Sequence, residues 1–416
     1  MPKYIIKGGK KLQGTVKISG SKNASLPIIA ASILNGGKTT LYNVPNIHDT
    51  QMMFEILKGL GCKVEKKNNK IIIDSSKMNK FEIPEDLMHQ MRSSVILAGS
   101  LVGKYKKAIF SYPGGCDIGA RPIDLHLKSF EQLGITIEKE YGQIKCTAEK
   151  IVGKQINLDF PSVGATENII LASVLAEGTT TIINAAREPE IVDLQNFLVK
   201  MGAKIKGAGS NQIVINGVQQ LKDVSYNVMP DRIEAGTFLC LAAMVGGNLT
   251  LENVNPNDIT PVIAKLEEAG CDIKTDKNKI QINSPKKIKP LEIKTMPYPG
   301  FPTDMQSIFV SLLTIAKGTS IMIETIFENR YKYVQELIKM GAKITVEGRS
   351  AIVKGTRKLY GANVKATDLR GGAALVIAGL SAKGKTTIEN IEYILRGYEN
   401  FDKKLRSIGA EIELKV

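Results

Sequence analysis

One cysteine, Cys116, stands inside a glycine-rich stretch, SYPGGCDIGARPID, with Gly114, Gly115 and Gly119 around it and Arg121 five residues downstream. A thiol in an open loop beside a guanidinium is exposed and has a lowered pKa, so it can move a proton or attack an electrophile. The other four cysteines read differently. Cys62 and Cys271 follow a helix-ending glycine, where sibling segments carry Ala or Ile; Cys240 lies in the apolar run FLCLAAM and Cys146 in a strand pattern. All four read as small core residues. Five cysteines at irregular spacing without a CxxC pair indicate neither disulfides nor zinc, and His48, His89 and His126 are far apart, so no metal and no other cofactor is expected.

The charged residues that could act with such a thiol fall at strand-to-helix junctions. SGSKNASLP, HQMRSSVIL, FPSVGATEN, MPDRIEAGT, GFPTDMQSI and ATDLRGGAA carry Lys22, Asn23, Arg92, the backbone of residues 162–164, Asp231, Arg232, Asp304, Asp368 and Arg370. A second set of junctions carries Cys116, Arg121, Arg187, Glu188, Arg330 and Arg396. Cations at helix N-termini, where unpaired NH groups already favour anions, describe a pocket for phosphate or carboxylate groups. A plainer reading competes at several positions: Asp304 and Asp368 suit helix caps equally well, and Arg187 suits an ion pair with Glu188. Arginine in a first turn opposes the helix dipole, so Arg92 and Arg370 read as ligand-binding.

Net charge is +15, from 56 Lys and Arg against 41 Asp and Glu, which favours an anionic partner. The cations are spread along the chain, aromatic residues make up 6%, and no nucleic-acid-binding signature appears, so small anionic substrates are expected and nucleic acid is not. The segment from Gly379 to Thr386 matches the phosphate-cradling pattern G-x-x-x-x-G-K-[ST], but its glycine ends a helix and its lysine starts a strand. That is the reverse of the order the pattern needs, so nucleotide binding there is not expected. No apolar run reaches the roughly 18 residues of a membrane span, and residues 1–23 lack the core of a signal peptide, so membrane insertion is not expected and a cytoplasmic location is.

The elements that must position these residues repeat. LKGLGCKVE, FEQLGITIE, LVKMGAKIK, LEEAGCDIK, LIKMGAKIT and LRSIGAEIE place Gly61, Gly134, Gly202, Gly270, Gly341 and Gly409 at intervals of 73, 68, 68, 71 and 68 residues. Each reads as a helix closed by glycine and followed by a strand. Ahead of each lies an apolar helix, a glycine stop and a β-branched strand, as in IIAASILNGGKTTLYNV; VILAGSLVGKYKKAIFSYP is the least regular copy. The pattern predicts an α/β protein of six βαβαββ units, three per lobe, with the all-apolar helices inside. AIVKGTRKLYG closes the fifth unit, IIKGGKKLQG near the start resembles it, and the sixth unit ends at IELKV without one. The N-terminus is therefore expected to supply the sixth unit's missing strand. Residues 1–21 and 230–416 would form one lobe and 22–229 the other, with a substrate cleft where the chain crosses twice.

In order along the chain, SGSKNASLP, PGGCDIGARPIDLH, SVGAT, NAAREPEIVD, PDRIEAGTF, FPTDMQS, ETIFENR, ATDLRGGAA and RGYE resemble the enolpyruvyl transferase family over essentially the whole length. The resemblance implies a two-lobed inverse αβ barrel. It also implies a reaction: the enolpyruvyl group of phosphoenolpyruvate moves to the 3-hydroxyl of UDP-N-acetylglucosamine, by addition and elimination, with release of phosphate. By the same resemblance, Lys22, Asn23, Arg121, Asp368, Arg370 and Arg396 bind phosphoenolpyruvate, Cys116 is the general acid and Asp304 the base. Asn23, Arg92, Arg121, Pro122, Ile123, Asp124, Leu125, Val163, Gly164, Asp304 and Ile326 resemble the nucleotide-sugar contacts. Leu395 stands before Arg396 where the family usually has an acid. The same donor with a shikimate acceptor, or a non-catalytic anion-binding repeat protein, are the alternatives; a monomer or weak homo-oligomer is expected.

Overall fold

A computed structural model describes residues 2–112 and 123–415. Cys116, Arg121 and Pro122 lie outside the described residues, and of Arg92 only the backbone is described. The described residues divide into two compact units, one of residues 2–19 and 230–415, the other of 20–112 and 123–229. The chain thus passes between units after Ser19 and again after Met229.

Each unit is built around its all-apolar helices. In one, Lys22–Ala31, Ile96–Tyr105 and Val163–Ser173 are buried along nearly their whole length; in the other, Arg232–Val245, Gln306–Leu313 and Leu369–Ser381 are. A helix without a polar face is stable only when surrounded, and these helices pack on one another. Ile96–Tyr105 meets Val163–Ser173 through glycine: a Cβ on Gly103 would lie 2.6 Å from the Leu171 carbonyl oxygen. Amphipathic helices such as Pro189–Lys200 lie outside these and bury one face.

Sheets wrap the helices. Among the described residues there are five four-stranded sheets and one three-stranded sheet. The three-stranded one, Lys107–Ser111 with Gln143–Thr147 and Thr136–Glu140, belongs to the least regular copy, where the fourth strand shrinks to a bridge between Glu82 and Ile109. All six helix-ending glycines adopt positive φ, between 85° and 102° at Gly61, Gly134, Gly270, Gly341 and Gly409 and 104° at Gly202, a conformation cheap only without a Cβ.

The N-terminal strand Lys3–Lys7 lies between Lys385–Glu389 and Glu411–Lys415, antiparallel to both, so the sixth repeat is completed from the start of the chain as expected. The next strand, Leu12–Lys17, pairs in parallel with Gly247–Glu252, whereas Val224–Asn227 pairs in parallel with Lys38–Tyr42. A strand that leads the chain out of a unit therefore stays in a sheet of the unit it leaves. The phosphate-loop lookalike is helix followed by strand: Gly379 lies within Leu369–Ser381 and Lys385 opens Lys385–Glu389.

Candidate active site

In the unit of residues 20–112 and 123–229, Lys22 opens the first buried helix, with Ser21 as its cap accepting from the Ala24 NH at 3.2 Å. Its ammonium lies 2.9 Å from the carboxylate of Asp49, which is fully buried at the start of helix His48–Gly59. A buried charge needs a partner, so Asp49 and Lys22 fix each other and place a cation at a helix N-terminus. Asn23, half-buried, follows in the same turn. Sequence reading missed Asp49, because an acid in a first helical turn looks like ordinary dipole compensation.

The nucleotide-sugar candidates of this unit gather at a second helix start. Ser162 caps Val163–Ser173, and a Cβ on Gly164 would meet the His126 ring, 3.0 Å from Cε1. His126 belongs to helix Asp124–Gln132, which brings Ile123, Asp124 and Leu125 to the neighbourhood of Val163 and Gly164. The imidazole Nδ1 lies 2.7 Å from Asn168 Nδ2, and Asn168 Oδ1 accepts from the Gly99 NH at 2.8 Å. This interior chain of contacts fixes the ring that borders Gly164. Nearby, Glu167 is buried, and burial first, then Glu190 and Glu188, push its carboxyl well above the usual range.

In the other unit the carboxylate of Asp304 is held by two buried arginines. Arg330 Nη2 donates to Oδ1 at 2.8 Å and Arg370 Nη2 to Oδ2 at 3.1 Å. Asp304 sits in the short 3-10 turn Thr303–Met305 and caps neither that turn nor the helix Gln306–Leu313, so the capping role its sequence position allowed is not the one it fills. Asp368 does cap: Oδ1 accepts from the backbone NH of Arg370 at 3.0 Å and of Gly371 at 2.9 Å. It thereby sets the first turn from which Arg370 projects.

The Arg370 guanidinium lies over the Tyr398 ring, 5.3 Å from its centroid, and the Tyr398 hydroxyl is 2.9 Å from Thr237 Oγ1. Burial opposes the arginine's charge, but Tyr398, Asp304 and Asp231 outweigh it, so the group stays protonated. Its Nε and Nη1 are buried without a well-formed hydrogen bond among the described residues, as is Arg330 Nε. Orphaned donors on buried cations are costly unless an anion takes them, which suits a phosphate or carboxylate ligand. Arg396, half-buried, follows the short helix Glu392–Leu395, two residues before Tyr398. Ile326 is half-buried in the loop between Glu324 and Arg330.

Among the described residues no group of three His, Cys, Asp or Glu is placed to hold a metal ion, and no helix is long and apolar enough to cross a membrane.

The chain is similar to known proteins in both sequence and structure. The chain is 54% identical over 413 residues to UDP-N-acetylglucosamine 1-carboxyvinyltransferase 2 of Caldanaerobacter subterraneus subsp. tengcongensis, with 99% of each chain covered. It is 49% identical over 414 residues to the enzyme of that name in Clostridium tetani, again covering 99% of each. Among solved structures, the enolpyruvyl transferase NikO from Streptomyces tendae matches with a TM-score of 0.90 at 25% identity, over 100% of this chain and 99% of that one. The family described as EPSP synthase (3-phosphoshikimate 1-carboxyvinyltransferase) matches residues 6–405. This chain, with its six repeats and its carboxylate held between buried arginines, belongs to that family of enolpyruvyl transferases.

Proposed function

We propose that this chain transfers the enolpyruvyl group of phosphoenolpyruvate to the 3-hydroxyl of UDP-N-acetylglucosamine and releases phosphate, the first committed step of peptidoglycan precursor synthesis. Relatives about half identical over the full length carry the name of that acceptor. The observation that carries the chemistry is the Asp304 carboxylate, fixed through both oxygens by Arg330 and Arg370.

Each oxygen of a carboxylate accepts more than one hydrogen bond, so Asp304 can take the sugar hydroxyl's proton while its rotamer stays locked. Addition runs as follows. Carbon 3 of phosphoenolpyruvate gains a proton from Cys116, carbon 2 becomes cationic, and the sugar oxygen bonds to carbon 2 as its proton passes to Asp304. Elimination then returns a proton from carbon 3 to the Cys116 thiolate and breaks the carbon 2 to oxygen bond of the phosphate, which departs with the proton taken up from the sugar, restoring the double bond. Lys22, Arg121, Arg370 and Arg396 balance the donor's charge of about −3 and stabilise the departing phosphate. Asn23 and Asp368 line the reacting centre, while Arg92, Arg121, Pro122, Ile123, Asp124, Leu125, Val163, Gly164 and Ile326 hold the nucleotide sugar. The enzyme works in the cytoplasm as a monomer or weak homo-oligomer, with no nucleic-acid partner.

Phosphate release from phosphoenolpyruvate tests the reading directly. With UDP-N-acetylglucosamine it is expected to be rapid, and Asp304→Ala is expected to reduce it by about 100-fold or more. Release only with shikimate 3-phosphate would assign the other acceptor, and release with neither would refute enolpyruvyl transfer.

A further inference from the structure

In four of the six repeats an asparagine directly follows the strand after the buried helix: Asn43, Asn184, Asn253 and Asn390, with φ between 55° and 58°. In three of them the side-chain amide donates to the carbonyl just beyond the parallel neighbouring strand: Asn43 to Val228 at 2.8 Å, Asn184 to Leu158 at 2.8 Å and Asn253 to Ile18 at 2.7 Å. This is a fold-building bond. It satisfies a carbonyl where the parallel pair separates.

In the fifth repeat that slot holds Glu324, after strand Thr319–Ile323. The carbonyl in the matching register belongs to Thr295, and the Thr325 hydroxyl takes it instead, at 2.6 Å. The fold's requirement there is met without residue 324, yet a fully buried carboxylate occupies the place. Taking a carboxylate out of water costs several kcal/mol unless it is well bonded. Glu324 is: Oε1 accepts from the NH of Ile326 at 2.8 Å, the NH of Phe327 at 3.1 Å and the Thr295 hydroxyl at 3.0 Å. Oε2 accepts from the Thr303 hydroxyl at 2.8 Å. Thr303 Oγ1 in turn accepts from Arg330 Nη1 at 2.8 Å, and the same guanidinium holds Asp304.

We propose that Glu324 is a positioning residue for the reaction, one oxygen fixing the backbone of the Ile326 loop and the other fixing, through Thr303 and Arg330, the carboxylate of Asp304. The two are thereby set in one register: the loop that meets the nucleotide sugar and the base that meets its hydroxyl. This role rests on the function proposed above. Glu324 touches no reacting atom. Its effect is geometric, and it should divide between binding and turnover in a way that simple loss of stability does not.

Glu324→Gln can keep one oxygen on the two backbone NH groups only by turning its NH2 toward Thr303, which reverses that bond. Thr303→Val removes the link to Arg330 and leaves the loop's own bonds intact. Initial rates of phosphate release should show kcat falling about 10- to 100-fold in both variants, since displacements near 1 Å have effects of that size. The nucleotide-sugar KM should rise severalfold in Glu324→Gln alone, because a neutral amide oxygen holds the loop NH groups less firmly than a carboxylate does, with the phosphoenolpyruvate KM unchanged in both. Because one chain of bonds is cut twice, the double variant should match Glu324→Gln in kcat and not multiply the two losses. Parent-like constants in Glu324→Gln, or multiplicative losses in the double variant, would overturn the role. Should Glu324→Gln fail to fold, parent-like kcat in Thr303→Val overturns it alone. Phosphate from the parent with unaffected variants rejects only the role of Glu324, whereas no phosphate from the parent rejects the function and this role together.

Discussion

The core holds four thiols out of reach. Burial pushes Cys62, Cys146 and Cys271 up to about 12, and burial together with Cys271 pushes Cys240 well above the usual thiol range. Neither solvent nor an electrophile meets a thiolate at these positions, so in the native protein a thiol-directed epoxide such as fosfomycin should add once, at Cys116. Intact-mass measurement checks this: Cys116→Ala should take up none, and a persisting adduct on any other cysteine would contradict it. Glu167 offers a pH test. Its folded pKa is raised by burial and by Glu190 and Glu188, so the folded state binds the proton more tightly than the unfolded chain. The stability this group contributes is therefore greatest when it is protonated and declines as pH rises through its folded value. Urea unfolding between pH 5 and 8 should show a decline in the parent that is smaller in Glu167→Gln; parallel profiles would dismiss the assignment. At this scale the sequence revealed what was exceptional by type, such as the first-turn Arg370. It hid what depends on a distant partner: Asp49 looks ordinary until Lys22 stands beside it.

Elements were more legible than contacts because their signals are local. A helix closed by glycine and followed by a strand is specified by neighbouring residues, and all six glycines that end the outer helices take positive φ. Which helix faces which is a long-range matter. In VILAGSLVGKY the expected glycine stop is absent, since Gly103 lies inside Ile96–Tyr105 and the helix ends at Lys106 with φ of 59°; Gly99 and Gly103 instead allow this helix to approach the backbone of Val163–Ser173. At Gly103 a methyl group would press on the Leu171 carbonyl at 2.6 Å and the Ala172 Cα at 3.0 Å, both backbone atoms that cannot rotate away. Gly103→Ala would favour the isolated helix slightly but force the pair apart, and overpacking of this kind costs about 1–3 kcal/mol. The denaturation midpoint should fall accordingly. A midpoint at or above the parent's would mean that the helices can separate without cost. The asparagine slot carries the same lesson, since the recurrence of Asn43, Asn184, Asn253 and Asn390 was visible in the sequence, and Glu324 could have been found as its exception.

For the whole molecule, the connection between the chain's two ends was legible because one repeat lacked a piece that the beginning of the chain supplied. In the sheet, Lys3–Lys7 is an inner strand, registered from Lys3 opposite Lys415 to Lys7 opposite Glu411 on one side and bonded to Lys385–Glu389 on the other. Tyr4 and Ile6 point from it into the core and are fully buried. Deleting residues 2–8 would take both side chains out of the core, a loss of about 1.5–3 kcal/mol each, and leave two strands without their shared partner. Against a typical total of 5–15 kcal/mol, that should destroy cooperative folding of the unit that contains this strand. The loss would follow from removing a strand, not from disturbing the start of the chain, and a rearranged chain separates the two. Lys3 and Lys415 are neighbours in an antiparallel pair, so residues 415 and 3 can be joined through a short glycine-containing turn. New ends can open at the exposed turn between Asp272–Asp276 and Lys279–Asn283, whose backbone takes little part in the core. This permuted chain should unfold cooperatively, with a midpoint near the parent's, and release phosphate at a comparable rate, while the deletion variant does neither. If the permuted chain failed as badly as the deletion, the strand would owe its place to where the chain starts and not to the sheet it completes.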